Sequence, residues 1–584
     1  MSGLDPALGR AVAAWLHDDP DPVTRAELEG LVAADDLDAI HARFDQPLEF
    51  GTAGLRGVVG AGPGAMNRLV VRRTTAGVAD WVRHKGPAAA AAGVVVGRDA
   101  RNGSADFARD TVDVLSGAGV AVHVLDAPLP TPLTAFAVRH LGASAGVVVT
   151  ASHNPARDNG YKVYDDDGSQ VVPPADATIE AAARRLADTP AAPVGRPGAV
   201  EPLDVERLVA SYEAALEGLV DDACPRDLRV AYTPLHGVGA AVAPALLRRA
   251  GFDVRVVAAQ AEPDPAFPTV AFPNPEEPGA MDLVLALAGA EGCDLAVAND
   301  PDADRCCVAV RTPSGFRALS GDELGALLGE ERCAATTGDD RLAATSIVSS
   351  SMLSRIAAAH GVAYAETLTG FKWLGRAGTA AGRRLVFAYE EALGYAVSDA
   401  VADKDGMSAA LVACALAARL KAGGTTLLGR LDELYARHGV HLTRPLSFRR
   451  EGPGGLAAIA ETVAGLLADP PSTLGGEPVT SVEDLSAGAR GLPPTGGPAP
   501  RGRGHPRRRA PVGDRAQAEG LRRGRDPAAG RGRARRGAGR GRGGPHRRRR
   551  RGRCEVRIAK RAAPPRSLSG WCGRPRRSAP RSAA

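Results

Sequence analysis

Short runs of β-branched and small apolar residues recur through most of this 584-residue chain, and stretches with helical patterning separate them. Gly93-Val94-Val95-Val96-Gly97 reads as a buried strand, 104–115 as the helix after it, and 120–125 and 146–150 as the next strands. The rhythm returns with a strand at 228–232, a helix over 240–250 and a strand over 253–257, and again with strands at 294–298, 344–348 and 384–389. Strands alternating with helices predict parallel α/β layers repeated in more than one domain. At ~100–200 residues per domain a chain of this length holds about three or four. The Pro- and Ala-rich stretch at 190–202 predicts an exposed connection at the edge of the first domain. No short-period repeat is visible, which argues against a solenoid.

Hydrophobic residues make up 44% and charged residues 24%, a globular balance rather than a fibrous one. No stretch approaches the ~20 consecutive apolar residues of a membrane span. The first residues carry acids early, without a basic region followed by an apolar run, so a soluble, cytoplasmic protein is expected. The eight cysteines are sparse and form no CxxC pair; Cys306 and Cys307 are expected as small buried hydrophobes in a reducing compartment. The net charge of +5 hides a split. Residues 496–584 hold 28 Arg and one Lys against four acids, for +25, and the remaining 43 basic and 63 acidic residues leave −20 before them.

In open α/β sheets ligands gather beyond the carboxyl ends of the strands, and each conspicuous polar cluster falls at such an end. Thr150-Ala151-Ser152-His153-Asn154-Pro155 follows one strand, Asn299-Asp300-Pro301-Asp302-Ala303-Asp304-Arg305 follows another, and Glu390-Glu391 follows a third. Asp300, Asp302 and Asp304 alternate, so in an extended or tightly turned segment all three can face one cation, and hard oxygen ligands suit Mg2+. A solvated acidic turn is the competing reading of that pattern alone. The apolar strand before it favours the metal loop, as does Arg305, whose guanidinium can hold a phosphate bidentately. Ser152 beside His153 is either an activated nucleophile or a turn serine; the GxSxG of a serine hydrolase is missing here. FGTAGLRG at 50–57 is either a glycine-rich anion cradle with Arg56 or a structural turn, and it is no Walker loop. Lys372 in TGFKW and the charged turn DKDG at 403–406 carry no signal alone, because single lysines are usually solvated.

In order along the chain, FGTAGLRG (50–57), TASHNP (150–155), NDPDADR (299–305), TGFKW (369–373) and YEEALGY (389–395) resemble the α-D-phosphohexomutases, the phosphoglucomutase and phosphomannomutase superfamily. NGYKVY (159–164), TPLHGVG (233–239), PNPEEP (273–278) and DKDGM (403–407) also fit, and the likeness covers about 45 to about 450. YEEALGY and TGFKW are similar to the branch with phosphoglucomutases, phosphopentomutases and sugar-bisphosphate synthases. The resemblance implies an α/β fold of three similar domains, 1–205, 206–325 and 326–445, around a central cleft, then a truncated fourth domain over 446–495 and a disordered basic tail over 496–584. It implies an isomerase in which Ser152, as a phosphoserine, exchanges its phosphoryl group with a sugar phosphate through a bisphosphate intermediate. Asp300, Asp302 and Asp304 would hold Mg2+ together with the serine phosphate, and a sugar bisphosphate would act as activator. Lys162 and then His153 would handle protons, Arg56 and Arg305 would stabilise phosphate charge, and Lys372, Glu390 and Glu391 would contact the sugar phosphate.

Two departures bear on this. Many members carry Gly-Glu-x-Ser in the sugar loop, whereas Ala392 stands at the serine position; the expected activity is that of a phosphoglucomutase or phosphomannomutase, with a phosphopentomutase or sugar-bisphosphate synthase as the alternative this change keeps open. The family's fourth domain clamps the non-transferring phosphate with Arg-Pro-Ser-Gly-Thr-Glu-Pro-Lys, a string this chain lacks. Yet the codons of 510–522, read one nucleotide later, permit Arg-Pro-Ser-Gly-Thr-Glu-Pro-Lys-Leu-Lys-Ala-Tyr-Val. A frameshift near Thr495, in the gene or in its determination, is therefore expected, with out-of-frame translation after it and impaired activity. The alternative is an inactive protein whose Arg/Gly-rich tail binds nucleic acid non-specifically; Trp571 is that tail's only aromatic residue.

Overall fold

The computed structural model describes residues 4–49, 54–187, 199–444, 455–479 and 482. The chain divides into two units, Met1–Arg444 and Pro445–Ala584. The described part of the second unit is one helix, Gly455–Ala468, and a two-stranded hairpin of Thr473–Leu474 with Glu477–Pro478. The expected disordered tail and the frameshift read near Thr495 lie outside the described residues.

The first unit opens with three helices, α1 (Pro6–Asp18), α2 (Pro22–Ala33) and α3 (Leu37–Phe44), each started by an aspartate whose carboxylate accepts backbone N–H groups of the first turn. Val12, Trp15, Leu28 and Ile40 bury their apolar faces together with Leu69.

Three β-sheets follow. The first contains β1 (Leu55–Val58), β2 (Val94–Arg98), β3 (Val122–Val124), β4 (Ala145–Val149), β5 (Asp158–Asp165) and β6 (Val200–Pro202), in the order β1-β5-β4-β2-β3-β6. The second contains β7 (Arg229–Thr233), β8 (Asp253–Val256), β9 (Leu295–Ala298), β10 (Cys307–Thr312) and β11 (Gly315–Ala318), in the order β11-β10-β9-β7-β8. The third contains β12 (Arg341–Ser346), β13 (Ala363–Thr367), β14 (Arg384–Glu390) and β15 (Gly394–Ala396), in the order β13-β12-β14-β15. The valine runs at β2 and β4 are buried throughout, as expected of strands covered by helices on both faces.

The sheets are not purely parallel, which corrects the reading from sequence. β5 runs antiparallel to β4, β10 to β9 and β15 to β14. The cause is connection length: a parallel neighbour needs a crossover of a dozen or more residues, and these connections are far shorter. Each sheet therefore ends its parallel run in a hairpin. The part of the 190–202 stretch that is described is likewise a strand, since β6 pairs with β3 at the sheet edge.

Candidate active site

The three hairpins carry the three polar clusters. The loop from β4 to β5 holds Ser152 and His153, the loop from β9 to β10 holds Asp300, Asp302, Asp304 and Arg305, and the loop from β14 to β15 starts at Glu390-Glu391. One topological position, repeated in three sheets, brings these segments together.

Ser152 is 2% exposed and its backbone lies in the left-handed region, with φ of 53°. Its Oγ donates to Asp300 Oδ2 at 2.7 Å and lies 3.1 Å from His153 Nδ1. Burial, with Arg305 and Arg56 nearby, holds the His153 imidazole well below its usual range, so the ring is neutral at neutral pH. Lys162 stands on the return strand β5, paired in register with Val148 of β4. Its ammonium donates to Asp302 Oδ2 at 2.8 Å and to Asp304 Oδ2 at 2.9 Å. Burial works against that charge, but the two carboxylates outweigh it and raise the lysine above its usual range.

Asp300, Asp302 and Asp304 are fully or almost fully buried. Burial pushes Asp300 well above the carboxylate range, and the charges of Asp302 and Asp304 push it further. Burial acts the same way on Asp302, but Lys162 overrides it and keeps that carboxylate ionised. Thr131 Oγ1 also donates to Asp302 Oδ2, at 2.9 Å. Arg305 donates its backbone N–H to Asp300 Oδ1 at 3.0 Å, and its guanidinium lies 3.5 Å from Glu276 Oε2. Arg305 Nε and Arg56 Nε are both buried without a hydrogen-bond partner, and Asp302 and Asp304 act on the Arg56 charge. Two buried guanidinium edges without acceptors, both acting on the His153 ring beside the Ser152 hydroxyl, suit an anionic guest.

The sugar-loop residues divide. Glu390 is 9% exposed, accepts the Gly370 N–H at 2.6 Å and acts on the charge of Lys404. Lys404, in a charged turn expected to be solvated, is instead buried with its ammonium 3.3 Å from Asp304 Oδ2 and from Asp403 Oδ1. It links the aspartate loop to Glu390. Glu391 instead points at the Ser346 and Ser349 hydroxyls, accepting from both at 2.9 Å. Lys372 is buried rather than solvated, over the Trp373 ring at 5.8 Å, and burial lowers its affinity for a proton. Neither Glu391 nor Lys372 is paired to the aspartate cluster. The loops are also joined through backbone: Cys306 N–H donates to Leu393 O at 3.0 Å.

Sequence reasoning missed Thr131 and the pairing of Lys404. Only the last had a signal, as a lysine between two aspartates before a glycine-started helix.

The donor set fits a hard divalent cation. One oxygen from each of Asp300, Asp302 and Asp304 lies within 4.8 Å of the other two, the one such cluster among the described residues. Asp302 Oδ1 and Asp304 Oδ1 are buried with no hydrogen-bond partner, because Lys162 takes only the Oδ2 atoms. Buried carboxylate oxygens without donors are costly unless a charge occupies them.

Comparison with known proteins identifies the class. Residues 47–189, 211–315 and 320–438 match, in order, the phosphoglucomutase/phosphomannomutase α/β/α domains I, II and III. The chain is 35% identical over 517 residues to a probable phosphoribomutase of Schizosaccharomyces pombe, covering 83% of this chain and 86% of that protein. It is 39% identical over 427 residues to a probable phosphomannomutase of Haemophilus influenzae, covering 72% and 85%. A phosphoglucomutase/phosphomannomutase family protein of Burkholderia thailandensis shares the fold at a TM-score of 0.56 and 22% identity, over 69% of this chain and 80% of that one. With three domain matches in order and relatives aligned over most of their length, the chain belongs to the phosphoglucomutase/phosphomannomutase family of the α-D-phosphohexomutase superfamily and is an isomerase of that class.

Proposed function

We propose that the chain moves a phosphoryl group between two positions of a sugar phosphate, with Ser152 as the carrier. The 2.7 Å contact between Ser152 Oγ and Asp300 Oδ2 carries this reading, because it sets the acceptor atom against the carboxylates suited to a cation. In the first transfer a sugar hydroxyl attacks phosphoserine 152, the P–Oγ bond breaks and a P–O bond to the sugar forms, giving a bisphosphate. In the second, Ser152 Oγ attacks the other phosphoryl group, its sugar O–P bond breaks as the P–Oγ bond forms again, and the released sugar oxygen takes up a proton. His153, neutral and 3.1 Å from Oγ, is suited to accept the proton of the attacking hydroxyl. Lys162, held as an ammonium, is suited to donate one and to keep Asp302 and Asp304 aimed. Mg2+ held by Asp300, Asp302, Asp304 and the serine phosphate would neutralise charge on the transferred group. Arg56 and Arg305 offer free guanidinium N–H groups to phosphate oxygens, and Glu390 and Lys372 are the residues assigned to the sugar.

Ala392 favours a pentose phosphate over a hexose phosphate, since it cannot supply the hydroxyl with which a serine would bind a second sugar oxygen. The S. pombe relative, named for a phosphoribomutase, agrees, while the H. influenzae relative is named for a mannose phosphate. The chain as written lacks the fourth-domain phosphate clamp, so turnover is expected to be slow. Incubation with a sugar bisphosphate followed by peptide mass spectrometry tests the core of the reading. Phosphate on Ser152 supports it, and phosphate elsewhere or nowhere refutes it. Turnover of ribose, glucose and mannose phosphates side by side then assigns the sugar.

A further inference from the structure

Arg101 is nearly fully buried, feels the charge of Asp302, and grips the serine loop through its backbone carbonyls. Its guanidinium donates to four backbone carbonyls between the serine loop and the start of β5: Nη2 to Ser152 O at 2.6 Å and Asn154 O at 2.5 Å, Nη1 to Pro155 O at 2.8 Å and Asp158 O at 3.1 Å. Asp99 sets the arginine from the other side. Its Oδ1 accepts the Arg101 N–H at 2.9 Å and the Ser104 hydroxyl at 2.6 Å, and its Oδ2 lies 3.4 Å from Arg101 Nε. The guanidinium plane lies over the Phe267 ring at 4.9 Å, beside a small cavity also lined by His236, Gly237 and Pro301. Gly237 packs so closely on the aspartate loop that a Cβ there would sit 2.3 Å from Pro301 Cα. The arginine thus lies between the serine loop and the segment that supports the aspartate loop.

Ser152 occupies a left-handed backbone conformation that serine adopts only when its surroundings impose it. Two groups do so. Thr150 Oγ1 accepts the Ser152 N–H at 2.8 Å, and Arg101 holds the Ser152 carbonyl. With both ends of the residue fixed, Oγ points at Asp300 rather than back along the loop. We infer that Arg101 is a positioning residue for phosphoryl transfer, which holds the carrier serine in its left-handed conformation and so aims Oγ at the aspartate loop. A lysine cannot replace it, because a point ammonium lacks the planar fork that reaches four carbonyls at once.

The inference rests on the mutase reading, and its test separates the two. The measured quantity is the rate at which Ser152 takes up phosphate from glucose 1,6-bisphosphate or ribose 1,5-bisphosphate with Mg2+, followed by intact mass against bisphosphate concentration. For Arg101→Lys the maximal rate is expected to fall about 100-fold, the scale of a misplacement of about 1 Å, with the half-saturating concentration unchanged. Thr150→Val, which removes the other restraint with little change of volume, is expected to lower the same maximal rate. A merely structural role would lower the folded fraction, read by circular dichroism, and leave the rate per folded molecule alone. A folded Arg101→Lys protein with the original maximal rate overturns the inference. If Arg101→Lys does not fold, an undiminished rate in Thr150→Val overturns it instead. No phosphate uptake by the unsubstituted chain sinks the mutase reading, and the inference falls with it.

Discussion

Ser152 and Asp300 stand 148 positions apart, and the hydroxyl of the first donates to the carboxylate of the second at 2.7 Å. Both sit on short hairpin loops after the last strand of a parallel run, so the contact follows from repeating one connection in two sheets.

Ser152→Ala should leave the fold intact, since it deletes one oxygen without opening a cavity, and should abolish phosphate uptake. Intact mass after incubation with a sugar bisphosphate reads the second effect and thermal unfolding the first. A phosphorylated Ser152→Ala protein would move the carrier to another residue.

Lys162→Met should destabilise the protein by about 3 kcal/mol in metal-free buffer, because Asp302 and Asp304 lose the ammonium that compensates them. Urea unfolding with and without Mg2+ checks this, and added Mg2+ should recover part of the loss. A substitution neutral in both buffers would mean that the carboxylates are not ionised as described.

Mg2+ should raise the unfolding midpoint of the unsubstituted chain, with a stabilisation of about 2.7 kcal/mol at 100 times the dissociation constant. Asp302→Asn and Asp304→Asn should each weaken that response, since each carries a buried Oδ1 without a partner. An undiminished Mg2+ response in both variants would place the cation elsewhere.

Restoring the reading frame near codon 495 should raise turnover with the same sugar phosphates, by supplying the phosphate clamp that residues 496–584 do not encode. Steady-state assays on the two chains give the comparison. Equal turnover would refute the need for the clamp.

Stability should fall at alkaline pH. Burial pushes the thiols of Cys307, Cys333 and Cys414 up to about 12 from a model-compound value of 9.0. Between those values the unfolded chain has released protons that the folded chain keeps, so unfolding is favoured as pH rises through the window. The loss is at most about 1.4 kcal/mol per thiol per pH unit, and urea midpoints at about pH 8 and about pH 10 in reductant measure it. Cys414→Ala should flatten the dependence by one thiol's share; an unchanged slope would show that Cys414 does not contribute.

Strand positions, the polar loops after them and the family were legible in the chain itself, because each is a local property. A buried valine run, an abrupt switch to polar residues and an ordered set of motifs need no partner to be read. Lys162 and Lys404 were visible as letters, but their pairing with Asp302 and Asp304 required β5 to fold back beside β4 and the 403–405 turn to reach the aspartate loop. Arg101 carried no signal at all. Its importance lies in four carbonyls 51 to 57 residues away, and carbonyls are common to every residue. Amino-acid order therefore determined which elements form and which chemistry they carry. Tertiary structure alone decided which side chains meet and which carboxylate oxygens stay free, because burial and contact depend on how strands return and pack, which no single stretch of sequence contains.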